Sequence, residues 1–195
     1  MSSESQNSVS NLIVTLTTLI FAITSMITVY ISGSAWRDER ESVRPYLTFY
    51  TSPEVRFSPL KQLVFSFTFQ NAGLHPAGNL HIQTTIIDSE LSGPPLHTDQ
   101  YSLVNDISQN STADLLIKLD NPGPIKKPVQ MKPQYIIISL KYSDPVLGKG
   151  HEQIFYLKWA GIVDGNITPV FHASREDKNR ILNSYPKINT KSKLQ

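Results

Sequence analysis

The sequence from Leu63 to Gln70 reads LVFSFTFQ. Four large apolar side chains, at Leu63, Phe65, Phe67 and Phe69, alternate with smaller or polar ones. Successive side chains of a strand point to opposite faces, so this period of two places all four on one face. The stretch therefore predicts a β-strand that is buried on one side.

Six further segments alternate in the same way, and turn-forming residues separate them. The segments are Leu47–Phe49, Leu80–Ile86, Tyr101–Val104 (weak), Leu115–Leu119, Ile136–Tyr142 and Phe155–Trp159. Seven such strands with no helical stretch between them predict an all-β, antiparallel, immunoglobulin-like sandwich over residues 45–162. A closed barrel is the alternative. No cysteine pair joins the sheets, and Trp159 falls on the last predicted strand, so only the architecture is implied.

An uncharged, mostly apolar run occupies residues 11–33. Twenty of its residues make a helix about 30 Å long, which matches the hydrocarbon thickness of a bilayer. A cleaved signal peptide is the competing interpretation, with Gly33-Ser34-Ala35 as a small-residue site. The preceding polar tail, residues 1–10, contains Glu4 and no Lys or Arg, and the apolar run exceeds the usual signal length, which favours a single transmembrane helix.

The residues that follow the span predict its orientation. Residues 34–44 have helical composition and end at Pro45, which predicts a charged juxtamembrane stalk with no flexible linker behind it. Basic residues occur only on this side of the span, so we expect the amino terminus outside and the β-domain in the cytoplasm. The flanking residues that carry this prediction are Trp36, Arg37, Arg40 and Arg44.

Small residues recur along one face of the span. Their 3-4-3-4-3 spacing predicts a stripe on which a second helix packs, and thus a homo-oligomer or a membrane partner. The alternative, which we favour, is that the hydroxyl groups bond back to carbonyls of their own helix. The stripe consists of Thr15, Thr18, Ala22, Ser25, Val29 and Ser32.

Three short motifs carry a resemblance to a known group. They are Arg44-Pro45-Tyr46-Leu47, Asn71-Ala72-Gly73-Leu74-His75-Pro76-Ala77-Gly78-Asn79-Leu80 and Tyr142-Ser143-Asp144. With the span before them, the chain from residue 11 to about 160 resembles a loose group of uncharacterised bacterial single-pass membrane proteins with a small immunoglobulin-like β-sandwich. The resemblance implies no activity. The motifs fit turn chemistry: we expect Asn71 to close a turn and Gly73 to take positive φ.

The carboxy-terminal segment, residues 163–195, is predicted to be a basic, solvated tail with one short helix. Ser174 and Asp177 have the spacing of a capping box, which opens that helix. Anionic lipid headgroups are the alternative partner of this tail. Its basic side chains are Arg175, Lys178, Arg180, Lys187, Lys191 and Lys193.

Composition excludes several classes of function. The 195 residues include no cysteine, which excludes disulfides, thiolate nucleophiles and Cys-ligated metals. A formal net charge of +2 is too small to indicate a nucleic-acid-binding protein. Gly148-Lys149-Gly150 lies in a predicted hairpin and His151-Glu152 in a predicted strand, so neither matches a phosphate loop or a zinc-protease helix. We therefore expect no cofactor, no metal site and no enzymatic activity.

Two kinds of function remain after these exclusions. The first is a membrane-anchored binding or scaffolding module with a protein partner, which makes contact through edge strands, loops and exposed aromatics such as Tyr50, Tyr135 and Tyr156. The second is an enzyme or ligand binder whose site assembles from dispersed residues such as His75, His81 and Asp144. A third alternative is a subunit of a membrane complex that acts through its transmembrane helix.

Overall fold

The computed structural model describes residues 3–58, 62–119 and 130–186, with side chains from residue 12 onward. Lys187, Lys191 and Lys193 of the predicted tail, and most of the predicted turn 121–133, lie outside these ranges. The chain forms two compact units, Met1–Val43 and Arg44–Gln195.

The first unit is one helix, α1, which spans Ser3–Ser42. It includes most of the predicted polar tail and runs without a break through the predicted stalk. The segment Leu12–Ser42 is long and apolar enough to cross a membrane. Hydroxyl groups bond back along the helix as we favoured: Thr18 Oγ1 donates to the carbonyl of Val14 at 2.8 Å, and Thr17, Thr24 and Thr28 do the same.

The second unit is mostly β-sheet. Its described strands are β1 Leu47–Phe49, β2 Glu54–Phe57, β3 Leu63–Asn71, β4 Gly78–Asp88, β5 His97–Leu103, β6 Thr112–Leu119, β7 Gln134–Asp144, β8 Lys149–Trp159, β9 Ile162–Val163, β10 Asn166–Ile167 and β11 Val170–His172. One helix, α2, follows at Arg175–Ser184.

The strand pairs among the described residues are all antiparallel, as predicted. In the first sheet, β3 pairs with β6 on one side and with β1 and then β2 on the other. The second sheet has five strands in the order β11-β8-β7-β4-β5. Strands β9 and β10 form a separate hairpin at the predicted Asp164-Gly165 turn.

The apolar faces of the two sheets share one core, because the alternation seen in the sequence buries the same face of each strand. Leu63, Phe65, Phe67 and Phe69 are all buried. The Phe65 ring lies edge-on to Trp159 of the other sheet, with 5.2 Å between centroids. We predicted that Trp159 lies on the last strand, and this was wrong. Trp159 is on β8, and β11, which comes later in the chain, pairs with the outer edge of β8.

The described carboxy-terminal residues, 163–186, differ from the prediction of a solvated tail. The capping box is present: Asp177 N–H donates to Ser174 Oγ, and the Asp177 carboxylate accepts from the Ser174 backbone. Helix α2 then packs on the outer face of the five-stranded sheet, where Ile181 contacts Ile87, Tyr135 and Ile137. Tyr135, which we predicted to be exposed, is therefore buried, because α2 covers it.

Candidate functional site

Several loops gather at the end of the β unit where the chain arrives from α1. We call this end the N-terminal pole and define it by residues 44–46, 71–78, 104–111 and 145–148. Backbone hydrogen bonds among three of these segments place them together, although they are far apart along the chain. Four polar side chains in or beside the segments add further bonds: Asn71, Asp144, Tyr142 and Gln153.

Asn71 uses its whole amide to hold two loops against the incoming chain. Its Oδ1 accepts from the N–H groups of Tyr46 at 3.1 Å and Gly73 at 3.0 Å. Its Nδ2 donates to the carbonyls of His75 at 2.8 Å and Ile107 at 2.9 Å. The predicted turn closure by Asn71 is confirmed. Because both atoms are occupied, Asn71 is a brace and not a ligand for a substrate.

Gly73 does not take the positive φ that we predicted. Its small size is needed for another reason, because the incoming backbone passes directly over it. A Cβ atom on Gly73 would lie 2.1 Å from the Arg44 carbonyl oxygen and 2.7 Å from the Tyr46 nitrogen. The glycine therefore lets the segment 44–46 lie against the 71–78 loop.

His75 and Asp144 form the polar pair that joins two of the loops. The His75 Nδ1 atom lies 2.8 Å from Asp144 Oδ2, and Asp144 Oδ1 accepts from the N–H groups of Val146 and Leu147. Asp144 is fully buried, whereas the side chain of His75 is 20% exposed. Burial opposes ionisation of Asp144, but these hydrogen bonds outweigh it and hold the pKa of the carboxyl below its usual value.

Gln153 and Tyr142 lie on the five-stranded sheet and bond to the segment that enters the β unit. Gln153 Oε1 accepts from Leu47 N–H at 2.9 Å, and Gln153 Nε2 donates to the Leu47 carbonyl at 3.1 Å. The Tyr142 hydroxyl lies 2.5 Å from Gln153 Oε1 and 3.2 Å from the Pro45 carbonyl. Burial raises the pKa of Tyr142 to about 12, so it stays a neutral donor. Sequence reasoning assigned no role to either residue.

Exposed apolar side chains project from each braced segment. Tyr46, Leu74 and Val146 are 48%, 55% and 62% exposed, and Val104 at the edge of the pole is 86% exposed. The backbone N–H groups of Tyr46 and Val146 bond to Asn71 and Asp144, respectively, and Leu74 lies between two residues that Asn71 bonds. Their signal in the sequence is an apolar residue inside a turn, as in Gly73-Leu74-His75-Pro76 and Pro145-Val146-Leu147-Gly148.

The dispersed residues of the enzyme hypothesis come together only in part. His75 and Asp144 meet, but His81 lies elsewhere, with its Nδ1 2.7 Å from Ser102 Oγ. His81 lines a shallow cavity of about 200 Å³ that contains Lys141 and no carboxylate. Small-molecule sites are usually larger and more apolar. Within the described ranges, no three His, Asp or Glu side chains come together to hold a metal.

A second polar cluster attaches α2 to the five-stranded sheet. The Tyr135 hydroxyl donates to Asp177 Oδ1 at 2.5 Å, and Lys158 Nζ lies 3.2 Å from the same atom. Burial raises the pKa of Asp177, but bonds from Tyr135, Ser174 and Lys158 outweigh this effect and lower it to about 2. Burial and the bond to Asp177 raise the pKa of Tyr135 to about 12. This cluster serves packing and presents no open site.

The sequence-predicted residues of α1 lie on its exposed surface. Arg40 stacks over the Trp36 ring, with its guanidinium carbon 3.7 Å from the ring centroid. Arg37 and Arg44 are exposed. The stripe residues Thr15, Thr18, Ala22, Ser25, Val29 and Ser32 share one exposed side, and helix packing through them stays a prediction.

Comparison with known proteins finds solved structures of partial similarity and no match by sequence. No family model and no curated protein matches the chain. The crystal structure of a Bordetella pertussis protein provisionally named ApaA is similar over 57% of this chain and 92% of that chain, with 19% identity and a TM-score of 0.40. The X-ray structure of a Northeast Structural Genomics Consortium target is similar over 69% of this chain and 96% of that chain, with 16% identity and a TM-score of 0.37.

Proposed function

We propose that the protein is a single-pass membrane protein whose β unit is a binding module, with the N-terminal pole as its contact surface. The observation that carries this proposal is the arrangement of Tyr46, Leu74 and Val146. Three exposed apolar side chains come from three separate segments, and one partly buried network of hydrogen bonds fixes all three segments. Exposed apolar side chains on a rigid support are typical of an interaction site.

We infer further that the two sheets form an immunoglobulin-like sandwich. The strand order supports this, since the chain passes from the first sheet to the second between β3 and β4, returns between β5 and β6, and passes again between β6 and β7. Such crossings are the Greek-key connections of that fold. Loops that share one end of such a sandwich often supply its binding surface.

The helix segment Leu12–Ser42, with its apolar window, supports the membrane assignment, and the arginines at 37, 40 and 44 support a cytoplasmic β unit. The likeness to bacterial single-pass proteins belongs to the same proposal. The rival enzyme hypothesis has one specific observation in its favour, the His75–Asp144 pair, which resembles an oriented general base. A base needs a proton donor within about 3 Å, and among the described residues His75 makes no hydrogen bond through Nε2 to a nucleophile.

The experiment uses full-length protein in native membranes. Alkaline washing should leave it in the membrane fraction, and a reporter after Gln195 should be protected by the sealed cell. A photo-reactive amino acid at Leu74 or Val146 should give crosslinked adducts, whose mass identifies the partner as lipid or protein, whereas the same group at Leu96 should give none. Leu96 is the matched control, because it is also 55% exposed and lies on the β4–β5 loop at the opposite pole. Extraction by alkali, or equal adducts at all three positions, would contradict the proposal.

The alternative of a subunit that acts through its membrane helix has its own test. Replacement of residues 12–32 by leucine keeps an apolar span and removes the stripe of small residues. We expect the adducts at Leu74 and Val146 to persist in this variant. Their loss would favour recognition through the helix.

A further inference from the structure

We propose that the N-terminal pole rests on the lipid headgroup layer of the membrane that holds α1, with Tyr46, Leu74 and Val146 in contact with lipid. The inference rests on the proposed function and names the partner of its contact surface. It concerns a lipid interface and not a protein, and three steps lead to it.

The first step is the length of chain that joins the helix to the pole. The predicted span ends at Gly33, and α1 continues through the charged stalk to Ser42, nine residues or about 14 Å further along the helix axis. Tyr46 is four residues beyond Ser42, and four extended residues span at most about 14 Å, so the connection is long enough for the pole to reach back to the headgroup layer. Pro45 is buried and Leu47 is held by Gln153, so the β unit begins immediately after this short connection. If α1 crosses a bilayer, the same bilayer is the surface available to the pole at the highest local concentration.

The second step is the chemistry of the exposed side chains. Tyrosine, leucine and valine on a fixed support suit the boundary between headgroups and acyl chains, where a tyrosine ring keeps its hydroxyl in water and its ring in lipid. The exposed Asp106 lies at the same pole and opposes contact with anionic headgroups, so the apolar side chains carry the inference. The set is amphipathic, as an interfacial contact requires.

The third step is the rigidity of the three segments. Asn71 bonds to Tyr46 and to the residues on both sides of Leu74, and Asp144 bonds to His75 and Val146. The apolar side chains are therefore presented by loops that are already ordered, and contact with lipid costs little further conformational entropy. Flexible loops with the same residues would lose this advantage.

The test uses site-specific fluorescence quenching in full-length protein. The chain has no cysteine, so Leu74→Cys, Val146→Cys and the control Leu96→Cys each take a single label. The labelled proteins are reconstituted into vesicles of phosphatidylcholine and phosphatidylglycerol in equal parts, doped with headgroup-spin-labelled phosphatidylcholine. We expect quenching at positions 74 and 146 to exceed that at 96 at least about threefold, because groups in the interface lie beside the spin-labelled headgroups.

A second variant separates lipid contact from mere proximity. With the label at Val104, the double change Leu74→Ser and Val146→Ser should reduce quenching about twofold, because the apolar contact is weakened. Equal quenching at 74, 146 and 96, with the protein retained on alkaline washing, would overturn the lipid inference and leave the membrane anchor in place. Protein adducts at Leu74 without quenching there would identify a protein partner and also overturn it. Loss of the protein on alkaline washing would overturn the proposed function itself.

Discussion

Gln153 pairs with the backbone of Leu47 as a neighbouring strand would, since one side-chain amide accepts from its N–H group and donates to its carbonyl. Leu47 lies on β1 of the first sheet and Gln153 on β8 of the second. The amide therefore joins the two sheets at the point where the chain enters the β unit. Backbone groups at a sheet edge must find partners when they are buried, and here a side chain supplies them.

Gln153→Leu should lower the free energy of unfolding by about 3 kcal/mol, because it leaves buried groups of Leu47 and the Tyr142 hydroxyl without partners. The measurement is urea denaturation of full-length protein in detergent. Gln83→Leu is the matched control, because Gln83 is exposed on β4, and it should change stability by less than about 0.5 kcal/mol. Equal effects of the two changes would show that the amide is not a brace.

Gly73→Ala should destabilise the β unit by at least about 2 kcal/mol, because its new methyl group meets backbone atoms that cannot move aside. The contact is with Arg44 and Tyr46, so the segment before β1 should also become accessible to proteases. Gly93→Ala provides the control, because a Cβ atom on Gly93 meets nothing within 4 Å. If both variants unfold at the wild-type urea concentration, the close approach at Gly73 is not required.

The strands were predictable wherever alternation ran for several residues. The periods at 63–70, 80–86, 115–119, 136–142 and 155–159 correspond to β3, β4, β6, β7 and β8. Strands β2, β9, β10 and β11 are two to four residues long and were missed, because alternation over so few residues is a weak signal, although β1, which is three residues long, was predicted. Tyr135 was wrongly predicted to be exposed, because its burial depends on α2. The α2 residue that bonds to it, Asp177, is 42 positions further along the chain.

The candidate site was predictable only as turn chemistry. The role of Asn71 in closing a turn follows from its neighbours in the sequence, and the structure confirms it. The pairing of His75 with Asp144 joins residues 69 positions apart, and nothing local specifies it. The same holds for Gln153 and Leu47, which are 106 positions apart. Contacts between loops leave no periodic pattern in the sequence. The meeting of these loops at one pole is therefore visible only in the structure.

Asp144→Asn should cost about 1–2 kcal/mol at neutral pH, because it replaces charge-assisted hydrogen bonds from His75 and two backbone N–H groups with neutral ones. The pKa of Asp144 is lowered by folding. Its contribution is therefore complete above the ordinary Asp pKa and is lost as pH falls through the lower folded value. Urea midpoints at about pH 7 and about pH 3 should consequently differ less in the variant than in the wild type.

The control for this pH dependence is Asp164→Asn in the β9–β10 turn. Asp164 is exposed and has a φ of 51°, a conformation that asparagine tolerates. We expect its acid sensitivity to equal that of the wild type. An unchanged pH response in Asp144→Asn would mean that another carboxyl governs acid unfolding of the β unit.

Asp177→Asn should release α2 from the sheet and lower stability by about 2 kcal/mol, since the buried carboxylate accepts from Tyr135, Ser174 and Lys158 together. Folding lowers the pKa of Asp177 to about 2, so this stabilisation should persist down to about pH 4 and disappear as pH falls toward about 2. Amide hydrogen exchange of Arg175–Ser184 measures the release directly. Glu176→Gln on the same helical turn, where the side chain is exposed, should leave the exchange unchanged. Faster exchange in both variants would indicate that the charge of the first turn, and not the contact with Tyr135, holds the helix in place.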